Sequence, residues 1–285
     1  MRPVRRTRSA LLWIPLLPFF LFGLLMEVVP LATVVFSSLH DSGAHLTLAN
    51  YQRTMSPVIR ASFANSLKLS AVTAALGVLL GTLSGYALMN VRNALFRGAA
   101  TALADVATNF GGAPLAFAFI VTLGSTGFIT LLLLKLFGIA LYPTFRIYSV
   151  TGLVLAYLYF QLPLMILLVQ PSLRGLRQEW KEAALNLGAS EGQYWLRVAL
   201  PILTPSLVGG FLLLFANSYG AYATAWTLTG PDINLVTIRI AALVRGEVQL
   251  EPGIADAMAT LSLLIMAVCV LGYLGANRFS QRWKR

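Results

Sequence analysis

Glu182-Ala183-Ala184-Leu185-Asn186-Leu187-Gly188, followed after nine residues by Val198-Ala199-Leu200-Pro201, is a short charged and amphipathic stretch in an otherwise mostly apolar chain. Around it, 58% of the residues are hydrophobic and only 11% charged, with a mean hydropathy of +0.76. A soluble globule carries about a quarter charged residues, so the composition is that of an integral membrane protein. Apolar runs of about 20 residues, each enough for a helix to cross a hydrocarbon core of ~30 Å, occupy nearly half of the chain and leave little room for a soluble catalytic domain. The opening stretch therefore needs an explanation that the bilayer does not supply.

Working outward, the hydropathy pattern predicts six transmembrane helices at about 10–38, 64–89, 99–124, 149–170, 203–228 and 254–276. The first is preceded by Arg2, Arg5, Arg6 and Arg8, which resembles a secretory signal. The apolar run from Ala10 to Phe36 is too long for a signal core, so it reads as a retained span behind a short N-terminal segment, residues 1–9. Its prolines, Pro15, Pro18 and Pro30, predict a kink. Gly77, Gly81 and Gly85 in the second span form an overlapping small-xxx-small pattern, which lets helices approach closely. Residues 125–147 include an apolar run interrupted by Lys135 and ended by Gly138. They read as an outer interfacial or re-entrant segment instead of a seventh span. Six crossings put both basic termini on one side, and 14 of the 21 basic residues then fall on that side. The positive-inside bias makes it cytoplasmic. The net charge of +11 thus serves topology, and its scatter along the chain argues against a nucleic-acid surface. This orientation puts residues 171–201 in the cytoplasm.

That loop reads as two short helices, Gln178–Leu187 and Glu191–Leu200, separated at Gly188, where glycine permits the positive φ that ends a helix. Ala183, Ala184 and Leu187 share a face over which a partner could approach closely, and Glu182 offers a charge. An amphipathic loop resting on lipid headgroups, anchored by Trp180, Tyr194 and Trp195, accounts for the composition equally well. Among the spans, Asp105 and Asn109 lie four residues apart in the third, and Glu27 lies in the first. Charges within spans point to a functional path by default, although Asp105 is close enough to the inner end to be hydrated. The fifth span concentrates Asn217, Ser218, Tyr219, Tyr222 and Thr224. Asn217 and Tyr222 are its pathway candidates, with the others available to pack against neighbouring helices. Asp256 opens the sixth span as a ligand or a cap. His40 and His45 lie in a polar loop without a third ligand, and Cys269 is a lone packing residue, so no metal site is expected.

The opening stretch resembles the EAA loop of ABC-transporter permeases of the importer type. In that loop Glu-Ala-Ala is followed by three residues, Gly, nine residues, a branched apolar residue, one residue and Leu-Pro. Glu182, Ala183, Ala184, Gly188, Leu200 and Pro201 meet the pattern, with Val198 where Ile is commonest. The resemblance implies a transmembrane permease subunit of an ATP-driven, binding-protein-dependent importer in a bacterial inner membrane, with the type I importer permease fold. It further implies an all-α chain with both termini cytoplasmic. In such permeases the loop docks in a groove of an ATPase subunit, and the glutamate matching Glu182 contacts that partner. Implied partners are an ATPase dimer, a second and different permease subunit, an external substrate-binding protein and membrane lipid. No phosphate-binding loop of the Gly-x-x-x-x-Gly-Lys-Ser/Thr type occurs here. ATP and Mg would therefore be held by the partner, with no cofactor bound by this chain. The pattern around Gly220–Gly230 is closest to permeases of the polyamine, iron, sulfate and thiamine group. A polyamine is the first expectation for the solute, with iron, thiamine, sulfate or a phosphonate as alternatives. An intramembrane enzyme lacks any nucleophile or metal motif, and the loop spacing argues against a channel or secondary carrier.

Overall fold

A computed structural model describes residues 16–41, 43, 45–247 and 251–282. The basic N-terminal segment, the start of the first span, and Lys284 and Arg285 lie outside the described residues, as does the orientation argument built on them. The described chain is helical, and its β structure is one antiparallel bridge between His40 and Leu46. Six stretches among the described residues are long and apolar enough to cross a membrane: Leu17–Ser38, Pro57–Asn90, Gly112–Phe137, Val150–Arg174, Glu191–Tyr219 and Pro252–Arg278. The expected number of six holds, but two boundaries differ from the hydropathy reading.

In chain order the helices are α1 (Leu17–Ser38), α2 (Ala49–Thr54), α3 (Pro57–Asn90), α4 (Ala94–Asn109), α5 (Gly112–Leu123), α6 (Phe128–Phe137), α7 (Val150–Arg174) and α8 (Gln178–Asn186). They continue with α9 (Glu191–Tyr219), α10 (Tyr222–Thr229), α11 (Val236–Arg245) and α12 (Pro252–Arg282). The third span was expected to be continuous over 99–124. Instead, α4 stops at Asn109, the chain turns at Phe110 and Gly111, and α5 starts anew at Gly112, whose φ is +70°. Residues 94–109 are too few for a crossing, so the third apolar stretch is α5 with α6, interrupted only at Gly124–Gly127. Hydropathy averaged over the stretch could not see a break whose cause is backbone conformation at two adjacent glycines.

Two turns of π-helix, Leu24–Val28 in α1 and Trp195–Ala199 in α9, each end two residues before a proline, Pro30 and Pro201. A proline inside a helix lacks the N–H and presses its ring on the carbonyl four residues back. A widened turn at that place keeps the helix continuous. This corrects the expectation that Pro201 closes a separate second loop helix. The helix that opens at Glu191 runs on as the fifth span.

The described residues form two compact units, one from residues up to Arg60 with Ile240–Leu263, the other from Ala61–Arg239 with Leu264 onward. In the first, Ser37 Oγ donates to Asp256 Oδ2 at 2.6 Å, and Arg53 pairs with Glu251 at 3.0 Å. Asp256 is the fifth residue of α12, so it joins α1 to α12 instead of capping its own helix, as one sequence reading had it. His40 stacks on Phe36, with ring centroids 4.0 Å apart.

In the second unit, α7 is the central element, with Leu153, Ala156, Tyr157, Met165 and Val169 all buried. One end of α7 packs with α5 and α10 around Tyr157, whose hydroxyl donates to the Ala221 carbonyl at 2.9 Å. The other end packs against α3 and α9. The glycine stripe of α3 lies on α7: a Cβ at Gly81 would stand 2.6 Å from Met165 Cβ, and one at Gly85 would stand 3.0 Å from Val169 Cγ1. Across from it, a Cβ on Gly210 of α9 would come within 2.6 Å of Met165 Sδ. Met165 is thus clasped between two glycines, a close approach of the kind the small-xxx-small spacing foretells.

Candidate coupling site

The segment 171–201 is built from caps. Helix α8 begins after Arg177, which is extended, with Glu179 in the first turn, where a carboxylate suits the helix N-terminus. It ends in a Schellman motif: Gly188 N–H donates to Leu185 O at 2.9 Å and Ala189 N–H to Ala184 O at 3.0 Å, with Gly188 at φ +84°. Two residues later Ser190 opens α9 through a capping box. Its Oγ accepts from Gln193 N–H at 3.3 Å, while its own N–H donates to Gln193 Oε1 at 2.9 Å. The connection is therefore short and conformationally specified at both ends. Lys181 Nζ pairs with Glu191 Oε1 at 2.7 Å across the bend, and this hydrogen bond holds the Lys181 ammonium above the ordinary lysine range. The Arg177 guanidinium lies 5.8 Å over the Trp180 ring.

One face of α8 is open. Glu182 and Ala183 are exposed, Ala184 is half-buried, and Leu187 is 88% exposed. Further along, Leu196 is 68% exposed, and Leu200 and Pro201 are exposed as well. Glu182 takes part in none of the ion pairs among the described residues. The anchors expected to hold the loop on headgroups diverge in placement: Tyr194 is buried, Trp195 meets Tyr86 edge-on at 4.9 Å, and Trp180 is partly exposed beside Arg177.

The pathway candidates do not converge on one site. Asp105 and Asn109 are exposed on α4, and Asn109 Nδ2 donates to the Asp105 backbone carbonyl at 2.9 Å. Because α4 lies outside the six apolar stretches, the argument from the cost of a charge within a span no longer applies to Asp105. Glu27 is exposed in the π-turn of α1. The fifth span was expected to continue to about 228, but α9 ends at Tyr219, and Gly220 and Ala221 separate it from α10. Asn217, exposed, and Tyr222, half-buried and stacked on Trp226, therefore belong to different helices. Among the other polar residues there, Ser218 and Tyr219 are buried, and Thr224 donates to the Gly112 carbonyl at 3.3 Å.

Sequence reasoning missed a buried polar knot. Gln161 on α7 donates through Nε2 to Thr73 Oγ1 on α3 at 3.3 Å and to the Leu214 carbonyl on α9 at 3.4 Å, and Thr73 and Ser218 hydroxyls share a hydrogen bond at 2.9 Å. Gln161 Oε1 has no hydrogen-bond partner. A glutamine in the middle of an apolar span was the available signal.

No family model matches the chain. Among curated proteins, it is 30% identical over 125 residues to the molybdenum transport system permease ModB of Mycobacterium tuberculosis, covering 44% of this chain and 47% of that one. It is 40% identical over 93 residues to a probable sulfate transport permease, cysT, of Prototheca wickerhamii, 32% of this chain and 36% of that one. To the spermidine/putrescine permease PotC of Escherichia coli K12 it is 29% identical over 120 residues, 42% and 44% respectively. The chain thus matches less than half the length of each of these relatives. Among solved structures, a bacterial alginate ABC transporter in complex with an alginate pentasaccharide-bound periplasmic protein superimposes with a TM-score of 0.71 at 16% identity, over 98% of this chain and 96% of that one. The chain thus has the fold seen in that ABC transporter, with six stretches among the described residues long and apolar enough to cross a membrane, and over part of its length it is similar to transport permease proteins.

Proposed function

We propose that this chain forms half of the translocation pathway of an ATP-driven importer and couples to a separate ATPase dimer through residues 171–201. The observation that carries the reading is the open face of α8, where Glu182, Ala183 and Leu187 are exposed on a helix whose end is pinned at Gly188. Exposed leucine beside small residues is a surface awaiting a protein groove, and Glu182 supplies a charge for an arginine on its wall. ATP itself stays with the partner. Because the helix opening at Glu191 continues as the fifth span, a push on α8 passes through the Lys181–Glu191 pair and the Gly188 turn directly into a transmembrane helix. Closure of the ATPase dimer on ATP would then bias one of two access states by binding it better. The remaining partners of the complex are a second, different permease subunit and an external binding protein.

For the solute, the reading is a small cation of the polyamine type, supported by the PotC relative and by the exposed acid Glu27 within α1. A second reading, a sulfate-like oxyanion, is favoured by the ModB and cysT relatives and by Lys68, which lines a 230 Å³ cavity on α3 with Asn65. Iron, thiamine and a phosphonate remain alternatives within the group. Reconstituted transporter should show ATP-dependent uptake that Glu182→Lys abolishes, with the permease still inserted. Uptake unchanged by that substitution sinks the coupling role. Labelled putrescine, sulfate and molybdate presented in parallel separate the two solute readings.

A further inference from the structure

The open face of α3 and α9 carries a two-part cavity that neither coupling nor a charged solute explains. Its larger part, about 530 Å³, lies between Val78, Leu79 and Leu83 of α3 and Leu203, Leu207 and Phe211 of α9. It runs along α3 from Ala75 to Tyr86, which at ~1.5 Å per residue is about 16 Å, the thickness of one leaflet of a ~30 Å hydrocarbon core. Its lining is apolar apart from Thr82 and the two rings at its end, Tyr86 and Trp195, which meet edge-on at 4.9 Å. Tyrosine and tryptophan in such a pair mark the level where hydrocarbon gives way to headgroups.

At that level a second cavity, about 240 Å³, takes over, and it shares Tyr86, Leu173 and Trp195 with the first. Its polar lining is Asn90, Arg177, Gln178 and Lys181, so both charged side chains in it are cations. Lys181 is shared with Glu191 at 2.7 Å, while Arg177 rests over Trp180 and keeps its planar donors available. A dry slot one leaflet long, ending at an aromatic belt and opening on a basic recess, has the layout of one amphiphile. We propose that this is a specific site for an anionic phospholipid of the leaflet on the coupling-loop side, with an acyl chain in the slot and the phosphate at Arg177 and Lys181. The polar recess selects the headgroup, because a zwitterionic lipid fills the slot equally well but returns a positive charge to the recess. Bound there, the lipid touches Trp195 and Lys181, the residues through which α8 meets the fifth span. The site is independent of which solute is carried.

The test is to reconstitute the complete transporter in phosphatidylcholine nanodiscs and titrate in dibrominated phosphatidylglycerol or dibrominated phosphatidylcholine. The Trp195 signal is the difference in quenching between the native chain and Trp195→Phe. Half-quenching by the phosphatidylglycerol is expected at about fivefold lower mole fraction, the preference conferred by one unshared cation. Arg177→Gln with Lys181→Gln, both on the loop surface, should bring the two curves together without abolishing quenching, and Val78→Phe, which fills the slot, should weaken both. Coincident curves in the native chain would mean bulk lipid contact only. Absence of quenching by either lipid would mean that protein, such as the second permease subunit, covers this face. Either result overturns the proposal.

Discussion

Substitution at Gly188 tests the coupling loop with a magnitude that can be worked from the backbone alone. A Cβ placed there meets nothing within 4 Å, while φ is +84°, so any cost is conformational and not steric. Holding an ordinary L-residue in the left-handed region costs about 1–2 kcal/mol. The two hydrogen bonds that close the helix there, from Gly188 to Leu185 and from Ala189 to Ala184, are together worth ~1–3 kcal/mol net at about 0.5–1.5 each. The two sums are comparable, so Gly188→Ala should leave the cap only partly populated. Asparagine enters this region readily and should keep the cap formed, whereas a β-branched residue is an outlier there and should lose it. Permease-stimulated ATP hydrolysis in proteoliposomes is therefore expected to rank native, then Gly188→Asn, then Gly188→Ala, then Gly188→Val. Amide exchange at Ala189 should rise in the same order, by roughly 5–30-fold for each 1–2 kcal/mol lost. Exchange within α7 should stay put, because nothing in the span is disturbed. Native-level coupling in Gly188→Val, or equal behaviour of the alanine and asparagine variants, would refute the reasoning.

Three further outcomes are expected. Gly81→Ala and Gly210→Ala should each destabilise the detergent-solubilised protein by ~1–3 kcal/mol through overpacking, whereas Gly98→Ala, which meets nothing within 4 Å, should not. In a double-mutant cycle, Met165→Ala should rescue Gly210→Ala, whose near atoms are Sδ and Cε, but not Gly81→Ala, whose nearest atom is the Cβ that alanine keeps. In the polar knot, Gln161→Met should cost less than about 1 kcal/mol, because Thr73 keeps Ser218. Thr73→Val should cost more, about 1–3 kcal/mol, by taking away the partner of the Ser218 hydroxyl and leaving the Gln161 amide only the Leu214 carbonyl; chemical denaturation reads both, and the reverse order would reject this account. Finally, because the Lys181 ammonium is held above its ordinary range, the contribution of the pair is full below the ordinary lysine pKa and is lost as pH rises through the raised value. Amide exchange at Ser190 and Gln193, corrected for intrinsic rate, should be flat between about pH 7 and pH 9 and rise only in stronger alkali, while Glu191→Gln should raise it across the flat range and meet the native curve in strong alkali. Loosening near pH 8 would contradict the pairing.

The number of crossings, the close packing along Gly77, Gly81 and Gly85, and the turn at Gly188 were all legible in the sequence, because each depends on residues adjacent along the chain. Apolar length sets the spans, four-residue spacing sets a helix stripe, and a glycine after a helical face sets a cap. What required the tertiary structure was every outcome decided by a choice among conformations or partners. Pro201 could have ended a helix; the π-turn at Trp195–Ala199 absorbs it and makes the second loop helix part of the fifth span. Gly111 and Gly112 could have sat within a span; their backbone breaks it instead, which removes Asp105 from the apolar stretches. Asp256 had two local readings and took a third, with Ser37, a partner 219 positions away. Gln161, Thr73 and Ser218 show the same limit, since no spacing rule along one helix announces a hydrogen bond among three. The Glu182–Pro201 stretch is the clearest division: its composition and caps were written locally, whereas its open face and its continuity with a membrane helix came from packing.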